Sequence, residues 1–248
     1  MYAATEHASS ETLVHATTDD FRNEDAIGRL AAELVDDGSL VILDAGTTTE
    51  FVARHLDVSG VTVFTNSIGV INILLRNEDV SMVVLGGRLR SLNGAISGAE
   101  AENMLRSVVA DYAFIGAHSV HPQYGIASRT LEQSQLKSLM MQRAWQTVVV
   151  ADSRKLYTDE FNYWSPFPAR WLLVTDDAAD PAALDGLRSV GAETVTTNSH
   201  GDLGAQADDA HLGSPESYCR PAETTTDSSQ ARSLMPAAPV PKQFAIVR

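Results

Sequence analysis

One cysteine, Cys219, lies in a polar stretch near the C-terminal end, which excludes an intrachain disulfide and any cysteine-based zinc cluster. Positive charge is also scarce: 18 Lys and Arg stand against 32 Asp and Glu, a formal net charge of -14. No basic stripe offsets it, so the chain as a whole is repelled by phosphate backbones. No apolar run approaches the roughly 20 residues of a membrane span, and the first seven residues lack the basic and apolar regions of a signal peptide. A cytoplasmic protein with no membrane partner is expected. Familiar catalytic signatures are missing too. There is no G-x-S-x-G elbow, no G-x-G-x-x-G fingerprint and no P-loop lysine, and the seven histidines show no i, i+4 pairing for a metal. Nothing calls for a cofactor.

The most informative stretch is Leu40-Val41-Ile42-Leu43-Asp44-Ala45-Gly46-Thr47-Thr48-Thr49. A branched apolar run reads as a buried strand, and a helical segment begins at the threonines. Gly46 lets the backbone approach a ligand, Thr47 and Thr48 add hydroxyl donors, and the helix N-terminus favours negative charge. Together these make an anion site. The alternative is purely structural, with Gly46 turning the chain and Thr49 capping the helix.

Strand-like runs recur at 40–43, 61–64, 80–85, 112–115, 147–151 and 171–175, with a weak last member at 194–196. Helical stretches fall between them, at 49–55, 67–75, 100–107, 132–144 and 181–190. Continuously apolar strands alternating with helices predict a doubly wound α/β domain with a mostly parallel sheet covered on both faces. Residues 1–23 read as a flexible leader and 24–198 as the domain, opened by a helix whose apolar positions are Ile27, Leu30, Ala31, Leu34 and Val35. Residues 199–248, rich in Ser, Thr, Pro, Ala and Asp, read as a disordered low-complexity tail.

In such sheets ligands bind beyond the C-terminal strand ends. Those ends carry small and polar residues: Asp44 to Thr48, Thr65-Asn66-Ser67, Gly86-Gly87, Gly116-Ala117, Asp152-Ser153 and Thr175-Asp176. Thr65, Asn66 and Ser67 offer an amide and two hydroxyls suited to sugar hydroxyls, or a plain helix cap. Asp152-Ser153-Arg154-Lys155 ends a buried strand, so its lysine and arginine offer a ligand phosphate a point charge or a fork, or else form a solvated loop. Glu132 and Gln133 open a helix carrying Lys137, where a polar first turn faces either the crevice or its own cap. The tryptophans Trp145, Trp164 and Trp171 read as core or interface.

Taken in order, several motifs resemble the C-terminal sensor domain of the DeoR/GlpR family of bacterial sugar-metabolism regulators, from about Asp25 to Asn198. They are Ile42 to Thr49, Phe64-Thr65-Asn66-Ser67, Leu85-Gly86-Gly87 with Gly98, Phe114-Ile115-Gly116-Ala117, Gly125-Ile126-Ala127, Lys137 with Met140, Ala151 to Lys155 with Phe161, and Val174-Thr175-Asp176. The resemblance implies a fold like that of ribose-5-phosphate isomerase and a loop, Gly46 to Thr49, that grips the phosphate of a sugar-phosphate effector. It also implies that Thr65, Asn66, Gly116 and Lys155 line the pocket. A homo-oligomer is expected. The polar residues ahead of the first helix are too few for the family's winged helix-turn-helix, so DNA contact is expected only through a module outside this chain. His118-Ser119 and Gln133-Ser134 depart from the acidic and small residues usual in the family. The rival reading, a phosphosugar isomerase on the same fold, would need a base such as Asp44, Glu132 or Asp152. The loop after Ile115 supplies no carboxylate for it.

Overall fold

Runs of Val, Ile and Leu without polar interruption must be covered on both faces, and in the computed structural model they are. The structure describes residues 18–158 and 160–197. The expected tail at 199–248, with Cys219, and most of the expected leader lie outside the described residues. The strands are β1 (Leu40–Leu43), β2 (Val61–Thr65), β3 (Val80–Val84), β4 (Arg88–Arg90), β5 (Ala95–Ser97), β6 (Ala110–Gly116), β7 (Val120–His121), β8 (Gly125–Ser128), β9 (Ala144–Val150), β10 (Tyr163–Ser165), β11 (Trp171–Asp176) and β12 (Ala192–Thr197). The helices are α1 (Thr18–Ala32), α2 (Thr47–Arg54), α3 (Ile68–Leu74), α4 (Ala99–Leu105), α5 (Leu131–Gln142) and α6 (Pro181–Arg188).

All seven strands expected from apolar runs join one sheet in the order β12-β11-β9-β6-β1-β2-β3, with every neighbouring pair parallel. Period-two alternation sends successive side chains to opposite faces. Val41 and Leu43 pack with Ile27, Val52, Val70 and Leu74 from α1, α2 and α3. Ile42 packs with Leu105, Leu136, Met140 and Leu187 from α4, α5 and α6 on the other face. This is the doubly wound α/β fold expected from the pattern.

Two small antiparallel pieces are additions: the hairpin β4-β5, and a three-stranded sheet of order β10-β8-β7. Their strands are two to four residues long and too short to show a period. The first helix also differs from expectation, since it begins at Thr18, within the stretch read as a flexible leader. The sequence at its start, Thr18-Asp19-Asp20, is polar and lacks the apolar period by which the remainder is recognised.

The packing of α1 on α2 depends on Gly28. A Cβ there would lie 2.4 Å from Phe51 Cβ, 2.6 Å from the Phe51 carbonyl carbon and 2.8 Å from the Val52 nitrogen. Two helix backbones meet at that point, and neither can retreat without lifting α1 from the sheet. Gly28→Ala is expected to destabilise the domain by about 1–3 kcal/mol, the usual cost of overpacking, despite the gain in helix propensity. A urea midpoint unchanged or raised by this substitution would show that the helices separate freely.

Candidate functional site

The chain runs outward from β1 through β2 to β3, then returns to place β6 on the other side of β1. The C-terminal ends of β1 and β6 therefore diverge in connection while remaining neighbours, which is the switch point where sheets of this kind bind ligands. Asp44 follows β1 and Gly116 ends β6. From α5, Lys137 reaches into this seam, donating from Nζ to an Asp44 carboxylate oxygen and, at 2.7 Å, to the Gly116 carbonyl oxygen. Lys137 and Asp44 are both buried. Helical spacing places Lys137 on the same inward side as Leu136 and Met140.

Beyond Asp44 the chain turns into α2 with Gly46 at the N-cap position and no side-chain cap. Gly46 has φ 171° and ψ 159°, extended backbone open to any residue, and its nearest atom for an added Cβ is Thr49 Oγ1 at 3.6 Å. Neither the turn nor local packing calls for glycine here. Thr49 is no cap either: its hydroxyl donates to the carbonyl oxygens of Asp44 (2.7 Å) and Gly46 (2.8 Å), holding the loop closed. Thr47 and Thr48 turn instead toward α1. Both hydroxyls donate to Glu24 Oε1, at 3.0 and 3.4 Å.

The same Glu24 oxygen accepts from Lys155 Nζ at 2.9 Å, and Lys155 also lies 2.8 Å from Asp152 Oδ2. Burial works against the charge on Lys155, but Glu24 and Asp152 more than offset it and its pKa is raised. Asp152 is fully buried after β9 and caps a short 3-10 turn, accepting from the Arg154 N–H and from Arg154 Nε at 2.9 Å. Burial raises its pKa, yet Lys155 and Arg154 outweigh this and hold the carboxyl below its usual range. Sequence reasoning missed Glu24. The available signal was a carboxylate on the same helical stripe as Ile27, Gly28 and Ala31, where an apolar residue belongs.

The remaining candidates divide. Thr65 is buried, donates to the Leu43 carbonyl oxygen (2.8 Å) and accepts from the Ser67 N–H, so it ties the ends of β1 and β2 together. Ser67 caps α3 by accepting from the Val70 N–H. Asn66 donates from its amide to the Ile96 carbonyl oxygen (3.0 Å), and its buried Oδ1 has no partner among the described residues. Gln133 has a buried Oε1 that likewise finds no partner among the described residues, whereas Glu132 is exposed and α5 is capped by Thr130. Gly87, at φ 134°, is a structural glycine, because a Cβ would meet the Ser97 carbonyl oxygen at 2.5 Å.

Beside Gly116, His118 stacks on Phe161 with ring centroids 5.8 Å apart. Burial, then the positive charges of Lys137, Arg129, Lys155 and Arg90, lower its pKa to about 3. Ser119 donates to the Thr158 carbonyl oxygen, and Ser134 donates to that of Trp164 (2.9 Å) while its own carbonyl accepts from Ser165. The two departures from the family pattern thus fasten the small sheet to the site. Of the tryptophans, Trp171 is core, stacked on Phe167, and Trp145 is exposed.

Two outcomes follow from these groups. Lys137→Met or Asp44→Asn alone strands a buried partner and is expected to cost about 3–5 kcal/mol for the lysine change, with the double variant losing much less than the sum. Urea unfolding of the four proteins measures this, and simple additivity would show the pair to be uncoupled. For His118 the folded protein refuses a proton that the unfolded chain takes up near pH 6.5. Stability is therefore present above that pH and is lost as pH falls from 6.5 toward about 3. His118→Gln should flatten this decline, and a His118 ring signal titrating near pH 6.5 in NMR would contradict it.

Comparison with known proteins agrees with this layout. The DeoR C terminal sensor domain family matches residues 21–177. Relatives include the HTH-type transcriptional repressor GlcR of Bacillus subtilis, 36% identical over 171 residues, covering 69% of this chain and 66% of the relative. A putative aga operon transcriptional repressor of Escherichia coli O157:H7 is 30% identical, covering 68% and 64%. The HTH-type transcriptional regulator GlpR of Haloferax volcanii is 29% identical, covering 68% and 67%. This chain thus spans about two thirds of the length of these curated relatives. Among solved structures, ribose 5-phosphate isomerase A from Methanocaldococcus jannaschii is 19% identical with a TM-score of 0.41, over 56% of this chain and 55% of that one. A likeness of that size bears no functional weight. The family match covers more than half of the chain, which belongs to the DeoR/GlpR family of transcriptional regulators and carries its C-terminal sensor domain.

Proposed function

We propose that the crevice at the β1–β6 seam binds a phosphorylated sugar and that this domain is the effector sensor of a transcriptional repressor of sugar metabolism. One observation carries the reading. Thr47, Thr48 and Lys155, from two separate strand ends, converge as donors on a single carboxylate oxygen. The first turn of α2 adds N–H groups to that side of the loop, so the donor set is one for an oxyanion. Gly46 supports it further, because neither its backbone angles nor its neighbours require glycine, and close approach of a ligand remains the use for a missing side chain. The buried acceptors Asn66 Oδ1 and Gln133 Oε1, which find no donor among the described residues, suit sugar hydroxyls. Several relatives are named as repressors, which favours a regulator over the isomerase reading. DNA contact belongs to a helix-turn-helix module outside the described residues, and the effector acts by preferring one arrangement of the domain over another.

A panel of phosphorylated hexoses, pentoses and trioses, read by thermal shift, tests the proposal. A true effector at about 100 times its dissociation constant should stabilise the protein by about 2.7 kcal/mol. Gly46→Val should keep the fold and lose that stabilisation, whereas a Gly46→Val protein that binds normally would reduce the loop to a turn. No response from the wild type to any of these compounds would overturn the sugar-phosphate reading.

A further inference from the structure

The donors proposed for the effector's phosphate already hold an anion that belongs to the protein. Glu24 is 6% exposed, and its Oε1 takes the Thr47 hydroxyl at 3.0 Å, the Thr48 hydroxyl at 3.4 Å and Lys155 Nζ at 2.9 Å. Lys155 is shared with Asp152, and the site's other buried lysine, Lys137, is engaged by Asp44. A second oxyanion brought to the same three donors would meet the Glu24 charge at contact distance with little water between them, and two like charges so placed repel strongly.

We infer that Glu24 is an intramolecular competitor for the phosphate subsite, whose carboxylate must leave Thr47, Thr48 and Lys155 before a phosphorylated effector can seat. This deepens the sugar-phosphate reading and rests on it. Glu24 sets the affinity threshold of the sensor, since every effector that binds has displaced it. It also ties occupancy to a particular element. Glu24 stands one helical turn before Gly28, where α1 is locked against the α2 backbone. The stretch ahead of that lock, residues 18–24, loses the hold that Glu24 gives it on the loop when the carboxylate is released, while the stretch after it stays docked.

The experiment compares the full chain with its Glu24→Gln and Glu24→Ala variants, each titrated by calorimetry with inorganic phosphate and with the sugar phosphate that most stabilises the wild type. Both variants are expected to bind about tenfold or more tightly, the scale of relieving one close like-charge contact. In the wild type, with no substitution at all, amide hydrogen exchange over residues 18–24 should quicken when inorganic phosphate is added and stay unchanged with matched chloride. Equal or weaker binding by the variants, or exchange over 18–24 unaffected by bound phosphate, overturns the competitor and leaves the sensor reading standing. Binding by the variants but not by the wild type supports both. Failure of all three proteins to bind any sugar phosphate overturns both together.

Discussion

The Lys137 ammonium group joins the two halves of the sheet at the point where their connections part. The halves β1-β2-β3 and β6-β9-β11-β12 meet along one pair of strands, and beyond the last ladder hydrogen bond their chains turn away from each other. Asp44 and the Gly116 carbonyl are left there with no backbone partner in common, and a single donor from α5 bonds both. A buried ion pair of this kind gives little net stability over an apolar replacement, but it tolerates only one arrangement of its neighbours. The loop that carries Thr47 to Thr49 starts at one member of the pair, so its position is inherited from this contact.

Around that contact the crevice is balanced in charge. Each lysine that faces it is matched by at least one carboxylate: Lys137 by Asp44, Lys155 by Glu24 and Asp152. The formal charge of the whole chain is strongly negative, yet the seam is neither an acidic hole nor an open basic patch. A neutral His118 on its flank, held uncharged by burial and by the surrounding cations, keeps that balance insensitive to pH in the neutral range. Within the described residues, both lysines of the seam thus have their charges met by the protein's own carboxylates.

Legibility from sequence followed the length and burial of each segment. Strands sealed on both faces, such as Val41-Ile42-Leu43 and Val148-Val149-Val150, announce themselves as unbroken apolar runs, and the doubly wound order follows from alternation with helices. The hairpin β4-β5 and the strands of the small sheet have no such run, because each buries only a few side chains. At the site, the residues that sit on strand ends were readable: Asp44, Thr65, Gly116 and Asp152 each follow or end a recognisable strand. What was not readable was how the groups pair. Thr49 reads as part of the ligand loop or as a cap, and its hydroxyl closes the loop; Ser67 reads equally as a ligand group or a cap and caps α3. Glu24 lies 131 positions from the lysine it engages, and no local pattern reports so distant a contact.

The serines that fasten the small sheet give α5 a second attachment. Ser134 is hydrogen-bonded to Trp164 and Ser165 of β10, and Lys137 lies three residues further along, on the same side of the helix. One rigid turn therefore separates the small sheet from the ammonium group at the seam. The partly exposed aromatic face formed by Tyr124, His121 and Trp164 stands on the far side of that turn. The helix therefore fixes the spacing between the aromatic face and the contact that joins β1 to β6.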